Sequence, residues 1–150
     1  MLRSILIGLI AGQRAMTPLS IVAGEAAKGR LSADIPGAGL LAHPLAQAGA
    51  VTLAAAEMAG DKMKTAPDRT VLAGLTARAL TSAFAGAALA KKDERKLGAA
   101  VAVAAAIASS YVGLALRKRA MARFGQTATG FVEDAALLAG GLAVANMRRA

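Results

Sequence analysis

The chain has 150 residues, 56% of them hydrophobic, and a mean hydropathy of +0.51, which fits one domain and exceeds what a soluble domain of this size usually shows. It has no cysteine and a single histidine, His43, which excludes disulfides, thiolate metal sites and paired-histidine metal or haem sites within one chain. The net charge of +9 comes from short basic clusters between apolar runs, which indicates loops beside membrane spans, and we expect no cofactor, metal or nucleic-acid partner.

Five apolar runs approach the roughly 20 residues that cross a bilayer as a helix, at residues 4–27, 38–60, 70–90, 97–116 and 126–147. The run 97–116 carries no charge and lacks the polar face, at 3.6-residue spacing, of a helix in a soluble bundle. The sequence therefore predicts an all-α fold, a polytopic transmembrane helical bundle of about five spans in one domain of residues 1–150. The alternatives are a soluble alanine-rich bundle and an N-terminal signal peptide, although Gln13 and Arg14 stand where a small-residue cleavage site belongs.

The first run is interrupted by polar residues and a proline. Pro18 predicts a helix break, because proline removes the hydrogen bond to the carbonyl four residues earlier, which belongs to Arg14. We expect this carbonyl, the Thr17 hydroxyl and the Gln13 amide to converge near the middle of the membrane. Interrupted helices of this kind form ion and substrate sites in many transporters. The structural alternative is a kink at which Arg14 bridges helices through a salt bridge.

Charged residues inside the apolar runs are the candidate site. A charge at the bilayer centre costs about 2.5–3.5 kcal/mol on insertion scales, so such residues are expected to be paired or hydrated. The candidates are Arg14, Glu57, Asp61, Arg78, Glu133 and Asp134. With five spans they collect in one half of the membrane, where they neutralise one another or line a water-filled cavity. A helix-end or loop role is the alternative for Asp61.

Two sequence patterns suggest internal and intermolecular symmetry. The segment Arg14-Ala-Met-Thr17 matches Arg78-Ala-Leu-Thr81, 64 residues later, which predicts a weak internal repeat. With five spans, eight flanking lysines and arginines lie on each side of the membrane, so the positive-inside rule favours neither orientation. One interpretation is an antiparallel homodimer, and the other is one orientation fixed by individual loops. A break of the second run near Pro44 would make this count invalid.

Small residues recur four positions apart, as at Gly8 and Gly12 or Ser82 and Gly86, and predict close helix packing within the chain rather than a dimer contact. Catalytic patterns are missing from the sequence. We find no serine–histidine–acid set beyond the lone His43, no phosphate-binding loop and no metal-ligand spacing. The sequence therefore predicts that the protein is not an enzyme.

Three motifs resemble a bacterial integral membrane family known as domain of unknown function 4126. They are Gly8-Leu-Ile-Ala-Gly12-Gln-Arg14-Ala-Met-Thr17-Pro18, then Glu57-Met-Ala-Gly-Asp61-Lys62 with Pro67 and Arg69, and finally Glu133-Asp134-Ala135 followed by Gly140-Gly141. The resemblance covers nearly the whole chain. It implies a multi-pass protein of the bacterial cytoplasmic membrane, and it implies no substrate.

The leading hypothesis is a small membrane protein that dimerises and forms a polar pathway for a small ion or solute. Arg14 and Arg78 would bind an anion or pair with the acids, and Glu57 and Glu133 would bind a cation or proton. Thr17 and the freed carbonyl would complete the site. The alternative is a non-transporting scaffold or accessory protein, in which the buried charges only hold helices together.

Overall fold

The computed structural model describes residues 1–63 and 70–147, and these residues form helices and no strand. The elements are α1 Leu2–Gln13, α2 Thr17–Ala27, α3 Ala38–Ala42, α4 Pro44–Gly60, α5 Leu72–Leu89, a 3-10 turn Lys92–Glu94, α6 Arg95–Phe124 and α7 Gln126–Asn146. The all-α prediction is confirmed. Pro67 and Arg69 of the family motif lie outside the described residues, as do Arg148 and Arg149 of the charge count.

The first apolar run forms a hairpin of two short helices rather than the single helix predicted over residues 4–27. α1 ends at Gln13, Arg14 has an extended backbone (φ −141°, ψ 114°), and α2 begins at Thr17. α2 returns along α1, since Arg3 Nη2 lies 3.3 Å from Glu25 Oε2 at the far end of α2. At about 1.5 Å per residue the helices are roughly 18 and 16 Å long, well short of a hydrocarbon core of about 30 Å.

Pro18 has a different role from the one predicted. It lies in the first turn of α2, where a backbone N–H has no partner within the helix, so the proline costs nothing there. The chain has already left the helix at Arg14, and the break therefore precedes the proline. The predicted break of the first run is therefore present, but it lies at Arg14, and Pro18 does not release the Arg14 carbonyl inside a continuous helix.

The second run is also divided, at the residue before a proline. His43 has an extended backbone between α3 and α4, as a residue that precedes proline prefers. Its Nδ1 accepts the N–H of Leu45 at 3.3 Å, so His43 caps the start of α4. Because five spans are not observed, the eight-to-eight charge count no longer applies.

α6 is longer than the apolar run that predicts it. Its 30 residues continue through the basic segment 117–124, which the sequence analysis assigned to a loop, and that assignment is wrong. Arginine, lysine, alanine and methionine are strong helix formers, and a helix may extend past the apolar region it crosses. The connection to α7 is Gly125 alone, at φ 81°, a conformation that glycine adopts without a steric penalty.

The helices form an up-and-down bundle with two ends. We call the end that holds Arg3 and Glu25 the base, and the end that holds Arg14 the tip. α1 runs parallel to α6, since Gly8 lies against Ala102 and Gly12 against Ala106. α7 runs antiparallel to α1, with Val144 near Arg3 at the base. The chain thus approaches the tip in α1, α4 and α6, and returns to the base in α2, α5 and α7.

Small residues bring α1 and α6 into backbone contact. A Cβ added at Gly8 would overlap the backbone of Ala102, and one added at Gly12 would overlap the carbonyl of Ala106. Ser110 Oγ donates to the Gly12 carbonyl at 3.0 Å across this interface. The predicted packing of Gly8 and Gly12 within the chain is confirmed.

The outer surface of the bundle is strongly apolar. Three described helices are long and apolar enough to cross a membrane, at Leu72–Leu89, Lys92–Phe124 and Gln126–Asn146. Large side chains project outward along the bundle, with Leu72 81% and Val132 71% exposed. An aqueous surface rarely carries apolar area on this scale, whereas a lipid-facing surface requires it. These features are those of a membrane protein.

Candidate functional site

Arg14 is the centre of a buried ion network at the tip of the hairpin. It is the largest side chain that the fold buries completely, at 0% exposure. Its Nε and Nη2 donate to Asp134 Oδ1 on α7 at 3.1 and 2.7 Å, and its Nη1 donates to Asp61 Oδ2 at the end of α4. Nη1 also donates to the Gln13 carbonyl at 3.1 Å. The guanidinium therefore joins the hairpin to two other helices.

Arg117 on α6 extends the network from Asp61 to Glu133. Its Nη1 lies 2.9 Å from Asp61 Oδ2 and 3.0 Å from Glu133 Oε2. Its Nη2 donates to the Asp61 carbonyl at 2.7 Å, so the arginine also binds the C-terminal end of α4. Arg117 sits at the end of the uncharged stretch of α6, and its side chain is 8% exposed.

Lys62 completes the set of cations. Its ammonium binds Asp134 Oδ2, donates to the Met58 carbonyl at 3.0 Å and lies 4.7 Å from the centroid of the Phe131 ring. The ring face attracts the cation and shields it from one side. Asp134 thus receives Arg14 on one oxygen and Lys62 on the other.

Glu57 on α4 has a different function, because it binds the backbone of the hairpin. Its Oε1 accepts the N–H of Ala15 at 2.7 Å and its Oε2 accepts the N–H of Met16 at 2.8 Å. These groups lie in the break before α2, where no helical carbonyl can accept them. The carboxylate also lies at the positive end of the α2 dipole. Glu57 therefore stabilises the break in the helix at which Arg14 contacts Asp61 and Asp134.

Within the part of the chain that the structure describes, each charge of the network has a partner of opposite sign. The cations are Arg14, Lys62 and Arg117, and the carboxylates are Asp61, Glu133 and Asp134. Paired charges of opposite sign are what an apolar environment requires of ionised groups. Within residues 1–63 and 70–147, no three histidine or acidic side chains lie together as metal ligands would.

The network lies beyond the middle of the uncharged stretch of α6. Gln13 Nε2 donates to the Ser109 carbonyl at 2.6 Å, and the Gln13 side chain rests on Gly113. At 1.5 Å per residue, this level is about 18–24 Å from the Leu97 end of the stretch. The sequence predicts that the buried charges collect in one half of the membrane. In the structure, Arg14 and its acids lie together near the tip end of this uncharged stretch of α6.

Cavities lie on two sides of α7, and one of them reaches the network. The α6 groove, of about 660 Å³, lies between α6 and α7, and Gln13, Arg117 and Glu133 form its polar end. The α2 groove, of about 180 Å³, lies between α2, α4 and α7, with Thr17 and Leu138 among its lining residues. Leu138 follows Asp134 by one helical turn on α7, towards the base.

The structure brings together five of the seven predicted site residues. Arg14, Glu57, Asp61, Glu133 and Asp134 meet at the tip. Arg78 is buried inside α5, in a continuous helix, unlike Arg14 at its break, so the proposed repeat is not reflected in the local backbone. Thr17 lines the α2 groove whereas Gln13 binds α6, so the predicted convergence of Thr17 and Gln13 is wrong.

Two residues of the network were missed at the sequence level. Arg117 and Lys62 were counted as loop cations, because each lies just past an apolar run. An available signal was the spacing of Arg117 on α6, seven residues after the buried Ser110 and therefore on the same helix face. Lys62 directly follows Asp61, and no helical period distinguishes it from a solvated loop residue.

A second buried ion cluster lies at the base. Glu25, 2% exposed, binds Arg3 at 3.3 Å and Arg30 at 2.5 Å. Arg3 Nε also donates to the Val144 carbonyl at 3.2 Å, which joins the hairpin to α7. The two ends of the hairpin are therefore both fixed to the bundle by charged groups.

Comparison of the chain with protein-family models, with curated proteins and with solved structures found no match in any of the three.

Proposed function

We propose that this chain is an integral protein of the bacterial cytoplasmic membrane that passes a small ion or polar solute across the bilayer at the tip of the α1–α2 hairpin. The observation that carries the proposal is the Arg14 network, which is buried at a helix break and is lined on one side by the α6 groove through Arg117 and Glu133. Broken helices with polar groups are how many membrane transporters place a binding site inside an apolar bundle.

Passage requires a change in the pairing that the network now has. The Arg117–Glu133 pair is the place for this change, because both residues line the α6 groove and Glu133 is more exposed than Asp134. Arg14 is enclosed on all sides and holds the hairpin in place. We therefore assign gating to Arg117 and Glu133, and positioning to Arg14 and Glu57.

Flux in proteoliposomes tests the proposal directly. Glu133→Gln and Arg14→Gln proteins, purified as folded species of wild-type elution volume, should lose most of the passive ion flux of the wild type. Arg119→Gln is the matched control for Arg14→Gln, because it removes one positive charge from an exposed position on α6. Wild-type flux in both network variants would refute the pathway.

A structural scaffold is the second candidate, and the mutual pairing of the charges favours it. Arginines and carboxylates that already bind one another can lock helices together without a ligand. This function predicts no flux in the wild type, loss of thermal stability in each single variant, and partial recovery in Arg14→Gln/Asp134→Asn, because the double change leaves fewer unpaired charges.

The membrane family and the homodimer belong to the same proposal. The motifs that resemble the domain of unknown function 4126 include Arg14, Glu57, Asp61, Glu133 and Asp134, all of which meet at the tip. The exposed apolar faces of α6 and α7, with Tyr111 and Phe131 outward, offer area to lipid or to a second copy. Light scattering of the detergent-solubilised protein measures its molar mass and so distinguishes a monomer, whose faces contact lipid, from a homodimer.

A further inference from the structure

The α2 groove has a polar floor within an apolar bundle. Thr17, Ser20, Gly24 and Lys28 lie at helical spacing on α2 and form one stripe from the tip to the base. Apolar side chains of the neighbouring helices form its rim, and Val51 of α4 and Leu142 of α7 are exposed there. The two hydroxyls and the ammonium of this stripe are groups that water or a polar solute can bind in an otherwise apolar groove.

Thr17 provides the strongest indication of an occupant. The residue is 1% exposed, and among the residues that the structure describes its Oγ1 has no hydrogen-bond partner. Ser20 Oγ, one turn away, donates to the Thr17 carbonyl at 2.8 Å and retains its capacity to accept. Buried hydroxyl groups are normally satisfied by protein or by ordered water, so the inner end of the groove is built for a hydrogen-bonding guest.

The mouth of the groove at the base has a positive excess. Lys28 is exposed on the lining, and the Glu25 carboxylate beside it is shared between Arg3 and Arg30. Both oxygens of the Glu25 carboxylate bind an arginine, so the exposed ammonium of Lys28 is a charge that the mouth presents to solvent. A concave site with charge of one sign concentrates ions of the opposite sign at its entrance.

We propose that the α2 groove is a hydrated entrance that binds a small inorganic anion and leads it to the Arg14 network. Lys28 attracts the anion at the base, and the hydroxyl of Thr17 donates to it at the inner end. Thr17 begins α2, three residues after Arg14 in the chain, so the inner end of the groove lies on the tip side of the hairpin. The inference rests on the proposed function and adds the charge of the solute and its route.

Thiol labelling of single-cysteine variants tests the entrance, because the chain has no native cysteine. Ser20→Cys and Gly24→Cys place a thiol on the floor, and a side chain at Gly24 meets no atom within 4 Å. Ala23→Cys is the matched control, one residue away and buried in the core. Each variant, in proteoliposomes, is treated with two membrane-impermeant reagents of similar size, one an ethylsulfonate and the other an ethyltrimethylammonium methanethiosulfonate.

We expect both floor variants to react and Ala23→Cys to stay unmodified. The sulfonate should react about tenfold faster than the ammonium reagent at low salt, at the lower end of electrostatic steering, and this preference should shrink with added salt. Lys28→Gln in the Gly24→Cys background should reduce the preference without preventing reaction.

Three results would overturn the inference. Equal rates for the two reagents would mean a hydrated groove without anion preference. Reaction of the floor thiols only with a lipid-soluble maleimide would mean that lipid fills the groove. Reaction of Ala23→Cys at the same rate would mean general opening of the hairpin. If any of these occurs while Glu133→Gln still abolishes flux, the entrance is refuted and the proposed function stands.

Discussion

Arg14 combines complete burial with full pairing, and this combination determines what its replacement does. Removing one partner from a buried ion pair leaves uncompensated charge, which typically costs about 3–5 kcal/mol. We expect Arg14→Gln to lower the free energy of unfolding by this amount, because Asp134 and Asp61 each lose a buried cation. Exposed Arg119→Gln should change it by less than about 0.5 kcal/mol. Thermal melts in detergent measure both, and equal melting temperatures would contradict the buried pairing.

Glu57 is the residue whose role is easiest to separate from charge pairing. Glutamine keeps one carbonyl oxygen and loses the charge, so Glu57→Gln should release the N–H of either Ala15 or Met16. Charge-assisted hydrogen bonds of this kind contribute about 1.5–3 kcal/mol. Hydrogen exchange by NMR should show faster exchange at these two amides, with the amides of α6 unaffected. Unchanged protection of both amides would show that Glu57 does not cap the break.

For individual residues, the sequence was enough to identify the acids of the network but not all of the cations that bind them. Charged residues inside apolar runs are conspicuous, which is why Arg14, Glu133 and Asp134 were found. Arg117 was missed because it ends an apolar run and begins a basic cluster, where a solvated loop is the usual outcome. Only the extension of α6 to Phe124 turns its side chain inward to Asp61.

The pairing of α1 with α6 depends on positions that have no room for a side chain. We expect Gly8→Ala to destabilise the protein by about 1–3 kcal/mol, because the new methyl group would overlap the Ala102 backbone. Gly49→Ala on α4 meets no atom within 4 Å and should be neutral or stabilising, by up to about 1 kcal/mol. Comparable losses of stability in both variants, measured by detergent unfolding, would contradict this interface.

The loop before α3 is held to the start of α6 by Asp34, which gives a pH dependence with a definite sign. Hydrogen bonds from Arg95, at 2.9 and 2.8 Å, and from Ser32 hold the pKa of Asp34 well below its ordinary value of 3.8. Because the pKa is lowered in the folded state, the Asp34 carboxylate stabilises the fold fully above its ordinary pKa. This stabilisation is lost as the pH falls through the lowered pKa.

Asp34→Asn should therefore melt below the wild type from pH 7 down to about pH 4, and the difference should vanish in stronger acid. The difference between the two melting temperatures, followed as a function of pH, cancels the titration of groups common to both proteins. A difference that grows on acidification would have the wrong sign for a lowered pKa.

The hairpin shows why elements were harder to predict than fold class. Residues 4–27 have the length and hydropathy of one span, and the break signals at Gln13, Arg14 and Pro18 were assigned to an interruption within that span. Nothing local distinguishes an interrupted span from a reversal of the chain. The reversal is fixed by Glu57 at the tip and by Arg3 with Glu25 at the base, contacts between residues far apart in the chain.

For the whole molecule, the hairpin changes the number of crossings. With α1 and α2 returning to the base, the N-terminus and the α2–α3 connection lie at the same end, and α7 ends there too. α4 is 17 residues long and joins the base to the tip between the hairpin and α5. The amphipathic pattern and composition predicted an apolar helical bundle, but the parity of its crossings depends on tertiary contacts that no run length reveals.

The orientation of the hairpin ends is the most direct test of this account, because the Arg14 network requires α2 to turn back. Single Leu2→Cys, Ser32→Cys and Phe124→Cys proteins should be exposed to an impermeant maleimide in right-side-out and in inverted vesicles. We predict that Leu2→Cys and Ser32→Cys label in the same vesicle type, and Phe124→Cys in the other. Labelling of Leu2→Cys and Ser32→Cys from opposite sides would mean that residues 4–27 cross the membrane once, and would contradict the hairpin and the site at its tip.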